Sequence, residues 1–309
     1  MENLAPDSFR LWQPPIGRVI EVGADNLRIT LPDVPLPLPR TAPAGDCPTA
    51  AEIGQGLYDY LRQFPDCEGN TIYAGLLAAA FPHFLSDLAA HAVMLDAKDV
   101  EPAYVLRKLT CLKILRLVDP MNAGLLRQLC LGYFELALDF AELADCRRHL
   151  LEAMRFGQEL LKVAAEDSQA LTLLAEIDGL FGDTPAAIDK LRRLLDEVAD
   201  DALSAQVKAR IAALQQRGYT EITLVDELES VAAAMVLHQS GDHLEAVALL
   251  ERIDEQGLLP RELPSANFYC LLAYCRQGCG DPGGAMVALQ RALEIEPDHA
   301  AALAALADG

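Results

Sequence analysis

Residues 266–299 read ANFYCLLAYCRQGCGDPGGAMVALQRALEIEPDH. Inside this run lies GCGDPG, Gly278 to Gly283, with the G-x-G-x-x-G spacing of a dinucleotide-binding turn. Such a turn works when it follows a parallel strand and opens a helix, so that pyrophosphate meets the helix N-terminus. Here Gly278 follows a helical pattern, and no alternation of strands and helices surrounds it. Asp281 has the side chain to cap a second helix, and Pro282 suits a first helical turn because its missing N–H would have no partner there. The run reads as two helices joined by a short glycine turn, and GCGDPG as that turn.

The same plan occurs upstream. ELESVAAAMVLHQSGDHLEAVALLERIDEQG (227–257) and SQALTLLAEIDGLFGDTPAAIDKLRRLLDEVADD (168–201) each hold a helix, a Gly-Asp turn and a second helix. Self-similarity at about 34 residues marks a stack of helix pairs, because a lone pair cannot bury its apolar stripe. Gly182 and Gly241 supply the backbone freedom of the tight turns, and Thr184 with Pro185 offers the same cap-and-proline start as Asp281 with Pro282. Helical patterning begins at Thr49, which stands in capping-box spacing with Glu52. It continues over 71–81, 83–96, 102–118, 122–138 and 142–157. Beyond these come 168–181, 185–199, 202–217, 225–240, 243–256, 266–277, 283–295 and a short final helix from His299.

The first 47 residues differ. Arg18–Val22 and Leu27–Leu31 are short β-branched runs joined by GADN, the pattern of a β-hairpin. Five of the twelve residues after Leu31 are proline, which excludes helix and central strand and predicts an extended linker. The expected organisation is an N-terminal extension (1–47), helices packing on the repeats (48–82) and divergent repeats (83–200). A connector helix (201–222) and C-terminal repeats (223–309) follow.

The pairs resemble the tetratricopeptide repeat. In the last unit Ala273, Tyr274 and Gly278 match the end of the first helix, and Ala285, Leu289, Ala292 and Pro297 match the second. Gly241, Asp242, Ala246 and Leu250 stand at the same places one unit earlier. Leu174, Ala175, Gly182, Asp183, Ala187 and Leu191 do so in the unit before that. Units at about 83–120 and 122–157 match more weakly, the last unit carries extra turn residues around Cys279, and the helix at 201–218 has no place in the repeat. The resemblance implies an all-α, right-handed helix-turn-helix solenoid with a small β-hairpin-containing extension. It implies a groove lined by the first helix of each pair: Leu228, Val231, Met235, His238 and Gln239; Phe268, Leu272, Cys275 and Arg276; and Gln169, Thr172 and Glu176. With Arg276 the one cation of that set and Glu176 acidic, recognition of an acidic C-terminal tail is disfavoured. An amphipathic or basic protein segment suits the groove better. The implied function is that of a non-catalytic adaptor, with a chaperone-like holder of an apolar client and an enzyme with its activity in the N-terminal region as alternatives.

Bulk composition points the same way. Of 309 residues, 52% are hydrophobic and 23% charged, so the chain can bury a core. Acidic residues number 46 against 25 basic ones, for a net charge of −21. Phosphate backbones and anionic headgroups are repelled by such a chain, which argues against nucleic acid and membrane partners. The longest uncharged run, 69–86, is broken by Gly75 and Pro82, and the acidic N-terminus lacks the features of a secretion signal. A cytoplasmic location is expected, with the eight cysteines reduced.

No chemistry-bearing constellation stands out. Cys270, Cys275 and Cys279 lack the paired C-x2–4-C spacing of zinc sites and read as core cysteines plus one turn thiol. Cys47 or Cys67 with His83 or His91 would be the nucleophile–base candidates, but no nucleophile elbow or oxyanion loop accompanies them. Asp254 and Glu255 sit at a solvated helix end. No catalytic residue, metal ligand or cofactor is assigned.

Overall fold

The computed structural model describes residues 8–23, 26–40, 47–96, 101–197, 199–217 and 221–308. The chain divides into two compact units, Met1–Gly132 and Tyr133–Gly309. Fifteen α-helices and four short strands are described, an all-α stack of helix pairs with a small β extension.

In the first unit the hairpin expectation holds. β2 (Val19–Val22) pairs antiparallel with β3 (Leu27–Thr30), although Ala24 and Asp25 of the turn lie outside the described residues. The linker expectation needs correction. β4 (Leu36–Pro39) pairs antiparallel with β1 (Phe9–Trp12), in register Arg10↔Leu38 and Trp12↔Leu36. The prolines are tolerated because they share one parity. The Arg40 amide donates to the Ser8 carbonyl on the same side as Leu36 and Leu38, so Pro37 and Pro39 face away and cost the ladder no bond.

Leu36 and Leu38 are fully buried beneath α1 (Ala50–Gln63), which opens with the expected capping box of Thr49 and Glu52. Gly56 is where α1 crosses β4: a Cβ there would fall within contact of the Pro37 carbonyl oxygen. α2 (Asn70–Ala80) adds a hydrogen bond from the Tyr73 hydroxyl to the Pro35 carbonyl, 2.7 Å. α3 (Pro82–Asp96) turns away from α2 by 108°, and no single described helix is long and apolar enough to cross a membrane. α3 then pairs with α4 (Pro102–Val118). α5 (Ala123–Leu138) carries the boundary between the units.

In the second unit, the end of α5 is followed by a 3₁₀ turn, Phe140–Asp145, and α6 (Cys146–Val163). The sequence pattern predicts one helix from 142. Asp139 instead caps a tighter turn by accepting from the Ala141 amide at 2.8 Å, and the α-helix starts four residues later. Three pairs follow as expected: α7 (Ser168–Leu180) with α8 (Thr184–Glu197), α10 (Leu224–Ser240) with α11 (His243–Gln256), and α13 (Ala266–Gly278) with α14 (Pro282–Ile295). α9 (Asp201–Gln216) is the extra helix, α12 (Leu259–Glu262) a single turn missed by the pattern, and α15 (Ala300–Asp308) the last.

Gly182, Gly241 and Gly280 take the left-handed backbone that ends a first helix without a Cβ clash. Asp281 caps α14 through the Gly284 amide at 2.9 Å, with Pro282 in its first turn, so GCGDPG is an inter-helix turn. Thr184 is not the cap of α8. Asp183 accepts from the Ala186 amide at 3.1 Å in its place, one residue earlier.

Beyond its own partner α11, α10 packs chiefly on the 3₁₀ turn and α6, while α9 lies on α8. Arg147 of α6 donates to Glu229 (2.7 Å) and Asp226 (2.8 Å) of α10. The extra helix therefore takes the place on α8 that the next pair would occupy, and that pair turns back to an earlier surface.

Gly56→Ala is expected to destabilise the first unit by about 1–3 kcal/mol, the usual cost of overpacking against backbone. Gly75→Ala, on an open face of α2 with no atom within 4 Å of the added carbon, should stabilise it by up to about 1 kcal/mol. Urea midpoints of the two variants test the contrast, and equal midpoints would show that α1 does not rest on β4.

Candidate functional site

The turn-back of α10 opens a cleft in the second unit. Its volume is ≈ 300 Å³, and it lies where the 3₁₀ turn, α10, α12 and the start of α13 meet. Phe140 and Leu143 form one wall, Leu228 and Val231 a second, and Leu259, Leu263 and Phe268 a third. Ser265, Asn267 and Glu296 supply the polar atoms. Leu138, Phe140 and Leu263 are half-buried, and Ile295 is exposed.

One carboxylate holds the third wall. Glu227 of α10 is buried, and its oxygens accept from the Leu258 amide at 2.8 Å and the Leu259 amide at 2.7 Å. These amides open α12 and would otherwise lack partners. Pro264 then ends the turn, Leu263 takes a non-helical conformation before it, and Ser265 caps α13. On its far side α12 is tied to α9 by Arg217 Nε and Glu262, 2.9 Å apart.

Two other cavities adjoin. One of ≈ 390 Å³ lies beside Glu227, with Ile222, Ile253 and Leu258 in its lining together with Glu221, Ser230 and Arg252. The larger, ≈ 580 Å³, is walled by Arg210, Arg217, Arg261 and Glu262. The first two arginines there are already paired with Glu176 and Glu262.

The residues expected in a groove distribute unevenly. Leu228, Val231 and Phe268 come together in the cleft. Leu272 and Cys275 are buried in the packing of α13. Arg276 is spent within the chain on Glu251 (2.8 Å) and the Gly284 carbonyl (3.0 Å). Glu176 accepts from Arg210 at 2.7 Å and 3.1 Å. Thr172 is exposed with its hydroxyl on the Ser168 carbonyl, 2.8 Å, and Gln169 and Met235 are half-buried. Gln239 is exposed, and His238 faces His243 with 3.2 Å between their Nδ1 atoms. Phe140, Leu143 and Leu263 were not expected at the site. They come from a 3₁₀ turn and a single-turn helix, which leave no periodic trace in the sequence.

Next to the cleft, Cys270 Sγ stands 3.6 Å from His299 Nδ1, and His299 Nε2 stands 3.0 Å from Asn267 Oδ1. The order thiol, imidazole, amide is that of a nucleophile with its base and orienting group. The surroundings suit a latch instead: Cys270 is buried, burial and then Glu296 push its thiol up, and Nδ1 also accepts from the Ala302 amide that opens α15. Glu142, Asp145 and His149 bring three potential ligand atoms within 4.8 Å of one another. Each already has a partner, His149 with Glu142 at 3.3 Å and Asp145 with Arg148 at 3.0 Å. Cys111, Cys130, Cys146, Cys270 and Cys275 are buried, whereas Cys47 and Cys279 are exposed.

No family model matches the chain, and no curated protein matches it. Among solved structures, "Crystal structure of MamA protein" is similar at 15% identity, covering 70% of this chain and 93% of that one, with a TM-score of 0.33. "Crystal structure of MamA" is similar at 16% identity, covering 64% and 92%, with a TM-score of 0.29. Likeness at this level carries no weight for fold or function, which rest on the helices and the cleft themselves.

Two outcomes follow from the site. Glu227→Ala leaves two amides without an acceptor and should cost about 1–3 kcal/mol, read as a lower urea midpoint, with Glu227→Gln losing less. Burial pushes Cys146 up to about 12 and Cys275 up to about 11, against an ordinary 9.0. Because the folded state holds these protons more tightly, that stabilisation is complete below pH 9 and is lost as pH climbs toward 11–12. A thiol reagent at pH 8 should label Cys47 and Cys279 rapidly and the buried thiols only on unfolding. Rapid labelling of Cys146 would contradict the packing of α6.

Proposed function

We propose that this chain is a non-catalytic adaptor of the tetratricopeptide-like kind, and that it receives an apolar segment of a protein partner in the cleft between the 3₁₀ turn, α10 and α13. The carrying observation is the cleft: Phe140 and Leu263, half-buried, and Ile295, exposed, stand at its mouth over a buried apolar floor of Leu228, Val231 and Phe268. Binding energy in such a site comes from one or two bulky anchors entering a desolvated pocket, with polar groups at the rim setting register. The chain's charge of −21 and Glu296 at the cleft favour an amphipathic segment with a cation beside its anchor.

A photo-crosslinking residue in place of Phe140 should capture the partner from the native cell extract, and the same probe in place of Leu244, which is 78% exposed, should not. Leu263→Glu and Ile295→Glu should each lower partner recovery at least fivefold while far-UV circular dichroism stays unchanged. Recovery unaffected by both substitutions would exclude the cleft as the binding site.

A further inference from the structure

His238 ends α10 and His243 opens α11. Their rings stand 4.9 Å apart between centroids at 53°, with the two Nδ1 atoms 3.2 Å from one another. When both rings are neutral, one carries its proton on Nδ1 and donates it to the Nδ1 of the other. When both are charged, two N–H groups point at each other. Asp242, which lies between them in sequence, accepts from the Ser240 hydroxyl at 3.2 Å.

A divalent ion can take the place of the proton that the two Nδ1 atoms share. At zinc–nitrogen lengths of about 2.0–2.1 Å the observed separation subtends about 100° at a common ion, near the tetrahedral angle. The ring of His243 is also held from behind. It lies against the backbone of Gly278, where an added Cβ would come within 2.5 Å of Cδ2, so the glycine that begins GCGDPG is also the surface that aims this imidazole. Both rings are half-buried, leaving solvent access for the remaining ligands.

We propose that His238 and His243 form a binding site for one borderline divalent transition ion such as Zn²⁺, ligated through both Nδ1 atoms with water completing the shell. The ion would clamp the turn between α10 and α11 where it meets the end of α13. Two of the other histidines are engaged elsewhere: His149 with Glu142, and His299 with Asn267 and the Ala302 amide.

The test is Zn²⁺ titration of the full chain by calorimetry, in a Cys47→Ser, Cys279→Ser background so that exposed thiols contribute nothing. One ion per chain should bind, and His238→Gln and His243→Gln should each weaken binding at least tenfold while circular dichroism is retained. Long-range ¹H–¹⁵N spectra of the imidazoles should report ligation at Nδ1 of both rings. Added Zn²⁺ should raise Tm in the parent and in neither histidine variant. Absence of binding to the parent, equal binding by both variants, or ligation confined to Nε2 would each overturn the site.

Discussion

Helices α7, α10 and α13 are apolar on two faces, and that double burial is the constraint on which the second unit depends. In α13, Phe268, Tyr269, Cys270, Leu271, Leu272, Ala273 and Cys275 are all buried, more than one partner helix can cover. α8, in contrast, buries the single stripe Ala187, Ile188, Leu191 and Leu194. A helix of the first kind needs its own partner on one side and a neighbouring pair on the other. At about 1.5–3 kcal/mol for each large side chain buried, a missing neighbour would leave a cost that no turn or cap offsets. Repetition is therefore the physical solution, and the glycine turns, aspartate caps and prolines serve it by keeping the pairs tight.

The same constraint explains the cleft. α9 occupies the surface of α8 that the next pair would use, and α10 satisfies its second face on the 3₁₀ turn and α6. Arg147, reaching Asp226 and Glu229, marks that contact but contributes little by itself, since all three side chains are about two-fifths exposed. A turn and a helix do not mesh as closely as two helices, and the gap between them becomes a cavity with apolar walls. Glu227 turns the gap into a defined site by fixing the first amides of α12, a buried carboxylate satisfied by backbone donors rather than by a cation.

Most helices were legible because two signals coincide at their starts, an apolar period of 3.6 and a capping residue. Thr49 with Glu52 and Asp281 with Pro282 are such cases. Asp183 and Thr184 show the limit: both are capping types, and the sequence does not say which of two adjacent candidates takes the position. β4 was hidden by its prolines, whose lost donors matter only if they face a neighbour. The cleft was half legible. Leu228, Val231 and Phe268 fall on one face of periodic helices, whereas Phe140, Leu143 and Leu263 reach it from segments too short to show a period. The position of α9 depends on contacts between residues far apart in sequence, which no local pattern carries.

The central claim is that a partner's apolar segment enters this cleft. Hydrogen–deuterium exchange of the full chain with and without its captured partner addresses it most directly. Slower exchange in peptides covering 138–143 and 259–268 on complex formation, with little change around Thr172 and Gln239, is the predicted result. Protection around Thr172 and Gln239 with the cleft peptides unchanged would contradict it.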